Sequence, residues 1–109
     1  MDARQKRMAQ NEVLFREVNE RVNEIAQDLG SDAQYDYLCE CANPDCTFRL
    51  SLALGDYEAV REIATQFVVL PQHYTPEIET LVAERADHWI VSKTGAAGEY
   101  VEKLDPRGR

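Results

Sequence analysis

Residues 35–54 read YDYLCECANPDCTFRLSLAL, and they hold all three cysteines of the chain. Tyr35, Tyr37, Cys39 and Cys41 alternate with Gln34, Asp36, Leu38 and Glu40. In an extended strand, that alternation places both cysteines on one face and Glu40 on the other. Asn43-Pro44-Asp45 is turn chemistry, because Pro44 fixes its own φ and Asn and Asp are common turn residues. Phe48, Leu50, Leu52 and Leu54 then recur at every second position, with Arg49 and Ser51 between them. The segment predicts a hairpin with a cysteine cluster around its tip.

Upstream, Phe15, Val18, Val22, Ile25 and Leu29 recur at helical spacing, which predicts a helix over about Met8 to Leu29. Gly30 is placed to take the left-handed conformation that ends it. The same seam fits a short coiled coil. It therefore either covers the domain's own sheet or faces another chain, giving a monomer or a homodimer through this helix. The expectation taken forward is that Val18 to Leu29 pack inward. Downstream, GDYEAVREIATQ reads as a second helix, capped at Gly55 or Asp56, with Tyr57, Val60, Ile63 and Ala64 buried. FVVL is a short apolar strand ended by Pro71. Residues 77–87 fit either a helix or a strand; a hairpin into Trp89 to Ser92 is the reading taken. TGAAGE reads as a flexible loop, YVEKL as an edge strand, and residues 1–10 and 105–109 as flexible tails. Together these predict one domain over residues 1–109 of α+β class. A long N-terminal helix and a shorter one pack on a small, mainly antiparallel sheet.

Of the 109 residues, 44 % are apolar, enough for a packed core. No apolar run approaches the roughly 18–20 residues that span a membrane, and MDARQKRMAQNE lacks the apolar stretch of a secretion signal. A cytoplasmic, membrane-free protein is expected. The formal charge of −8 argues against nucleic acid, whose phosphates need clustered Lys and Arg. Arg4, Lys6 and Arg7 at one end, and Arg107 and Arg109 at the other, read as solvated tails. A protein partner or a small molecule suits such a surface better.

Three thiols in eight residues admit three readings: a metal site, a redox device, or small core residues. Metal binding explains the spacing best. Cys39 and Cys41 project from one face, and the turn returns Cys46 toward them. Turn amides near Asp45 and Cys46 are available to the sulfurs. A structural zinc needs a fourth ligand, and the chain offers His73 and His88. His73, in a proline-bounded loop, is the better placed. A disulfide suits neither the odd number of thiols nor the expected compartment.

The Cys-x-Cys-x4-Cys spacing resembles the zinc-binding tail that follows SET methyltransferase domains, over these eight residues and without any catalytic motif. YLCECANPDC, LSLALGDYEAVR, FVVLPQH and HWIVSK, in this order, also resemble a group of small uncharacterised bacterial proteins, mostly actinobacterial. That resemblance implies grouping of Cys39, Cys41, Cys46 and His73. It also implies a glycine before the histidine, where this chain has Gln72. It brings no activity.

No catalytic constellation stands out, and GAAGE lacks the Lys-Ser/Thr of a phosphate loop. The function expected is a small zinc-stabilised interaction or regulatory module without catalysis of its own. The alternatives are a small thiol- or metal-dependent enzyme, a redox sensor, or a small-ligand-binding domain. From the acidic balance, the protein should not bind random duplex DNA or RNA at physiological salt. Fluorescence anisotropy checks this; a submicromolar, salt-sensitive complex would reveal a basic face that composition conceals.

Overall fold

In the computed structural model, which describes residues 1–29 and 33–107, residues 35–54 form the hairpin that their alternation predicts. Strand β1 (Gln34–Leu38) pairs antiparallel with β2 (Arg49–Ala53), with Tyr35 opposite Leu52 and Tyr37 opposite Leu50. Pairing ends at Leu38 and Arg49, followed by one further bond from the Cys39 amide to the Phe48 carbonyl, 3.1 Å. The cysteines therefore lie just beyond the strands, in the connecting loop. Helix α2 (Leu54–Arg61) follows directly. A second sheet holds β3 (Gln66–Val69), β4 (Glu79–Glu84) and β5 (Trp89–Lys93), ordered β3-β5-β4 and antiparallel throughout. The sheet material is thus split in two rather than continuous.

Strand β3 explains the split. Its residues are apolar on both sides because it lies between two cores. Phe67 and Val69 join Ala9, Val13, Cys39, Cys41, Val91 and Val101, whereas Val68 joins Tyr37, Leu50, Leu52, Tyr57 and Val60. The 77–93 segment is the hairpin of the favoured reading, with a register shift between Leu81 and Ala83 that leaves Val82 exposed.

Helix α1 (Ala3–Leu29) is 27 residues long, about 40 Å at 1.5 Å per residue, and sets the 41 Å length of the molecule. It starts earlier than predicted and buries a different face. The buried residues are Ala9, Glu12, Val13, Arg16, Asn19, Asn23 and Ala26, roughly 120° around the helix from the apolar seam. Along the seam, Phe15 and Val22 are half-buried, while Val18, Ile25 and Leu29 are exposed. The expectation of an inward-packed Val18–Leu29 seam is therefore corrected. The polar residues win because each reaches a specific buried partner. Arg16 donates to the carbonyls of Ala64 and Val101, both at 2.8 Å. Asn19 donates to the Leu38 carbonyl at 2.8 Å and accepts from its amide at 2.7 Å, so a side chain pairs with the backbone of β1. Gly30 lies outside the described residues.

Two further expectations are corrected. Helix α2 ends at Arg61, its N-cap is Ala53 without a side-chain cap, and Ile63 is exposed. The predicted loop and edge strand at 94–104 are instead helix α3 (Gly95–Lys103), which buries Ala97, Gly98 and Val101. Gly98 lets α3 touch β5: a Cβ there would sit 2.9 Å from the Lys93 carbonyl oxygen. Residues near both ends also make ion pairs. Arg4 pairs with Glu77, Asp105 is buried against Arg61, and Arg107 pairs with Glu20 and Glu58 at 2.9 Å each. Arg109 lies outside the described residues. Among those residues, no helix is long and apolar enough to cross a membrane.

Beside the Phe67 ring, the Lys93 ammonium is buried between Glu12 and Glu79. Burial raises the Glu12 carboxyl from its ordinary 4.5 to about 7, against the pull of Lys93. A raised folded-state pKa means that the folded state holds a proton the unfolded chain has released. The resulting stabilisation is full below about 4.5 and lost as pH rises through about 7. Chemical denaturation from pH 4.5 to 7.5 should show this loss, and Glu12→Gln should flatten it. An unchanged slope in that variant would assign the effect elsewhere.

Candidate metal centre

The backbone alternation of β1 continues past its last paired residue. It sends Cys39 and Cys41 into the core that holds Phe67 and Val69, where they are 1 % and 3 % exposed, and Glu40 the opposite way, toward Val68. The sequence places Glu40 on the other face correctly, but that face is also buried. The Glu40 carboxylate accepts from the Val68 amide at 2.9 Å, Asn19 Nδ2 at 3.0 Å and the Tyr57 hydroxyl at 2.8 Å. Its own amide donates to the Val68 carbonyl at 2.9 Å. Burial pushes this carboxyl up, and the three donors oppose that push. Glu40 thereby clamps the cysteine segment to α1, α2 and β3 together.

The turn then returns the third thiol. Asn43 Oδ1 accepts from the Asp45 amide at 2.9 Å, and the Asn43 carbonyl accepts from the Cys46 amide at 3.1 Å. This is the side-chain-supported turn that Asn-Pro-Asp favours. Asn11 of α1 donates to the Cys41 carbonyl at 3.2 Å, which fixes the loop from outside.

His73 arrives from a second turn. The His73 amide donates to the Leu70 carbonyl at 3.0 Å, Pro71 occupies the second position, and Gln72 has φ of 75°. A type II turn has this form, and its third position favours glycine. The Leu70 amide donates to Cys39 Sγ at 3.2 Å, so the turn that supplies the imidazole also steadies a thiol. The ring of Phe48 meets His73 edge-on at 5.8 Å.

The ligand atoms converge. His73 Nδ1 lies 3.4 Å from Cys39 Sγ and 3.7 Å from Cys46 Sγ, and all four ligand atoms, Cys41 Sγ included, fall within 4.8 Å of one another. A tetrahedral ion with metal–sulfur bonds of ~2.3 Å and metal–nitrogen bonds of ~2.0 Å would require edges of roughly 3.5 to 3.8 Å. Cys39, Cys41, Cys46 and His73 can thus hold one metal ion. His88 is elsewhere, with Nδ1 2.8 Å from Asp87 Oδ1 beside the β4–β5 turn.

The Leu70 amide hydrogen-bonds Cys39 Sγ, and the backbone amides of Asn43 and Phe48 oppose the effect of burial on Cys41 and Cys46. Such donors favour thiolates and offset their charge. They differ from the turn amides expected at Asp45 and Cys46, which are engaged with Asn43. The thiols titrate together. Hydrogen bonding from Cys39 pulls Cys41 down to about 5, and the same bond, with burial, pushes Cys39 up. Burial raises Cys46.

Glu40, Asn19, Asn11 and Leu70 are supporting residues that the sequence reading did not single out. Glu40 alone carried a signal, as a carboxylate set between two inward thiols. In comparisons with known proteins, no family model, curated protein or solved structure matches the chain.

A left-handed residue other than glycine is strained by roughly 1–2 kcal/mol. Gln72→Gly should therefore be neutral or stabilising by up to about 1 kcal/mol after glycine's entropy cost, while Gln72→Val should destabilise by about 1–2 kcal/mol. Denaturant melts of both variants check this; the reverse order would contradict the turn.

Proposed function

We propose that this chain is a small zinc-stabilised module of the cytoplasm that acts through protein contacts and has no catalytic activity of its own. One observation carries the reading: three thiols and an imidazole converge, with all four ligand atoms within 4.8 Å of one another. Soft thiolates with one imidazole suit zinc. A set of four protein ligands leaves no open position for water or substrate, which is the mark of a structural rather than a catalytic site. Burial of Cys39 and Cys41 also limits their access to an oxidant or substrate, which weighs against a thiol enzyme. Free thiols suit a reducing compartment.

Zinc would join two elements that the chain brings together late. Cys39, Cys41 and Cys46 belong to the β1–β2 loop, and His73 belongs to the β3–β4 connection. The ion would cross-link the two sheets in a domain whose core is divided. Its binding free energy would then be folding free energy.

Native protein should contain one zinc per chain, released by chelation together with a fall in stability of several kcal/mol. Cys46→Ser and His73→Ala should each weaken zinc binding strongly, while His88→Ala should leave it unchanged. Elemental analysis and competition titration against a chromophoric chelator measure both. A metal-free protein of full stability would defeat the proposal. A metal-free protein with a readily alkylated Cys41 would favour thiol chemistry instead.

A further inference from the structure

Rotation of α1 away from its apolar seam leaves hydrophobic side chains in water. Leu14, Val18, Ile25 and Leu29 are 55 %, 39 %, 61 % and 72 % exposed. At 100° per residue they fall within about 60° of arc and run about 22 Å along the helix. Half-buried Phe15 and Val22 border this stripe on one side. Exposed Glu17, Arg21, Glu24 and Asp28 border it on the other. A continuous apolar stripe of this kind on an otherwise acidic surface marks an interaction site.

We infer that this face of α1 binds α1 of a second copy of the chain, with the two helices antiparallel. The first argument is the spacing. The four exposed residues are separated by steps of four, seven and four, which read the same in both directions. A twofold axis crossing the helix between Arg21 and Val22 sets Leu14 against Leu29 of the second copy and Val18 against its Ile25. Self-complementarity of this form is what a twofold interface requires.

The second argument is the flanks. In an antiparallel pair, like flanks meet. Phe15 and Val22 then join the same residues of the second copy, extending the apolar seam. On the other flank Arg21 lies near the axis, within reach of Glu24 of the second copy. A parallel pair would set the apolar flank against the charged one. The seam is narrow, so the contact belongs with weak, reversible interfaces. Each copy carries a formal charge of −8, so added salt screens the mutual repulsion and should strengthen association. An ion-paired contact with a basic partner would respond in the opposite sense. None of the four candidate metal ligands lies on α1, and the cysteine loop meets α1 at Asn11, one turn before Leu14.

Sedimentation of the full-length, metal-loaded chain across concentrations up to about 1 mM tests the inference. The expected result is a monomer–dimer equilibrium that tightens with salt. Val18→Lys and Ile25→Glu each remove an apolar contact at an exposed site, so the fold should persist by circular dichroism. Each should weaken dimerisation roughly tenfold or more, because an unpaired charge enters the seam. The double variant Val18→Lys/Ile25→Glu should recover most of that loss, since antiparallel pairing brings its opposite charges together. A chain monomeric throughout, or a dimer indifferent to both single substitutions, would overturn the inference. So would a double variant weaker than either single one, which would indicate another register.

Discussion

The Glu40 carboxylate is the constraint on which the arrangement depends. It sits between two cysteines of the candidate metal centre in sequence and points away from both. It gathers donors from Asn19 of α1, Tyr57 of α2 and Val68 of β3. A carboxylate removed from water is costly unless its oxygens are satisfied, so these elements are not free to separate. Because Cys39 and Cys41 flank it, fixing Glu40 fixes the direction of both thiols. The candidate metal centre is thereby oriented from behind by a buried polar network, and Cys39 is steadied from the front by the Leu70 amide.

The same logic governs α1. Its buried face carries Glu12, Arg16, Asn19 and Asn23, each answered by a partner on another element. Asn19 completes the backbone hydrogen bonding of Leu38, and Arg16 donates to one carbonyl in the α2–β3 connection and one in α3. Hydrogen bonds of this kind contribute modestly as pairs, yet leaving one partner unmade costs more. They specify how the helix is rotated, and that rotation is what leaves the apolar seam facing outward.

Local signals carried much of this architecture. The period-two runs around Leu50 and Trp89, the apolar run at 67–70 and the turn residues at 43–45 each act within a few positions. So does the cysteine spacing, and a proline-bounded histidine was enough to favour His73 over His88. Signals failed where the deciding partner is distant in the chain. Apolar periodicity named the wrong face of α1 because Arg16 and Asn19 bury themselves through residues far along the sequence. Residues 94–104 read as a loop followed by an edge strand, and the packing of the helix found there depends on the close approach of Gly98 to Lys93. The C-terminal tail looks solvated until Asp105 meets Arg61 and Arg107 meets Glu20.

X-ray absorption at the zinc edge of natively purified protein is the most direct test of the central claim. Cys39, Cys41, Cys46 and His73 predict a four-coordinate ion with three sulfurs at about 2.3 Å and one nitrogen at about 2.0 Å. That first shell should lose its nitrogen in His73→Ala. A first shell dominated by oxygen, a shell unchanged by that substitution, or no zinc at all would contradict it.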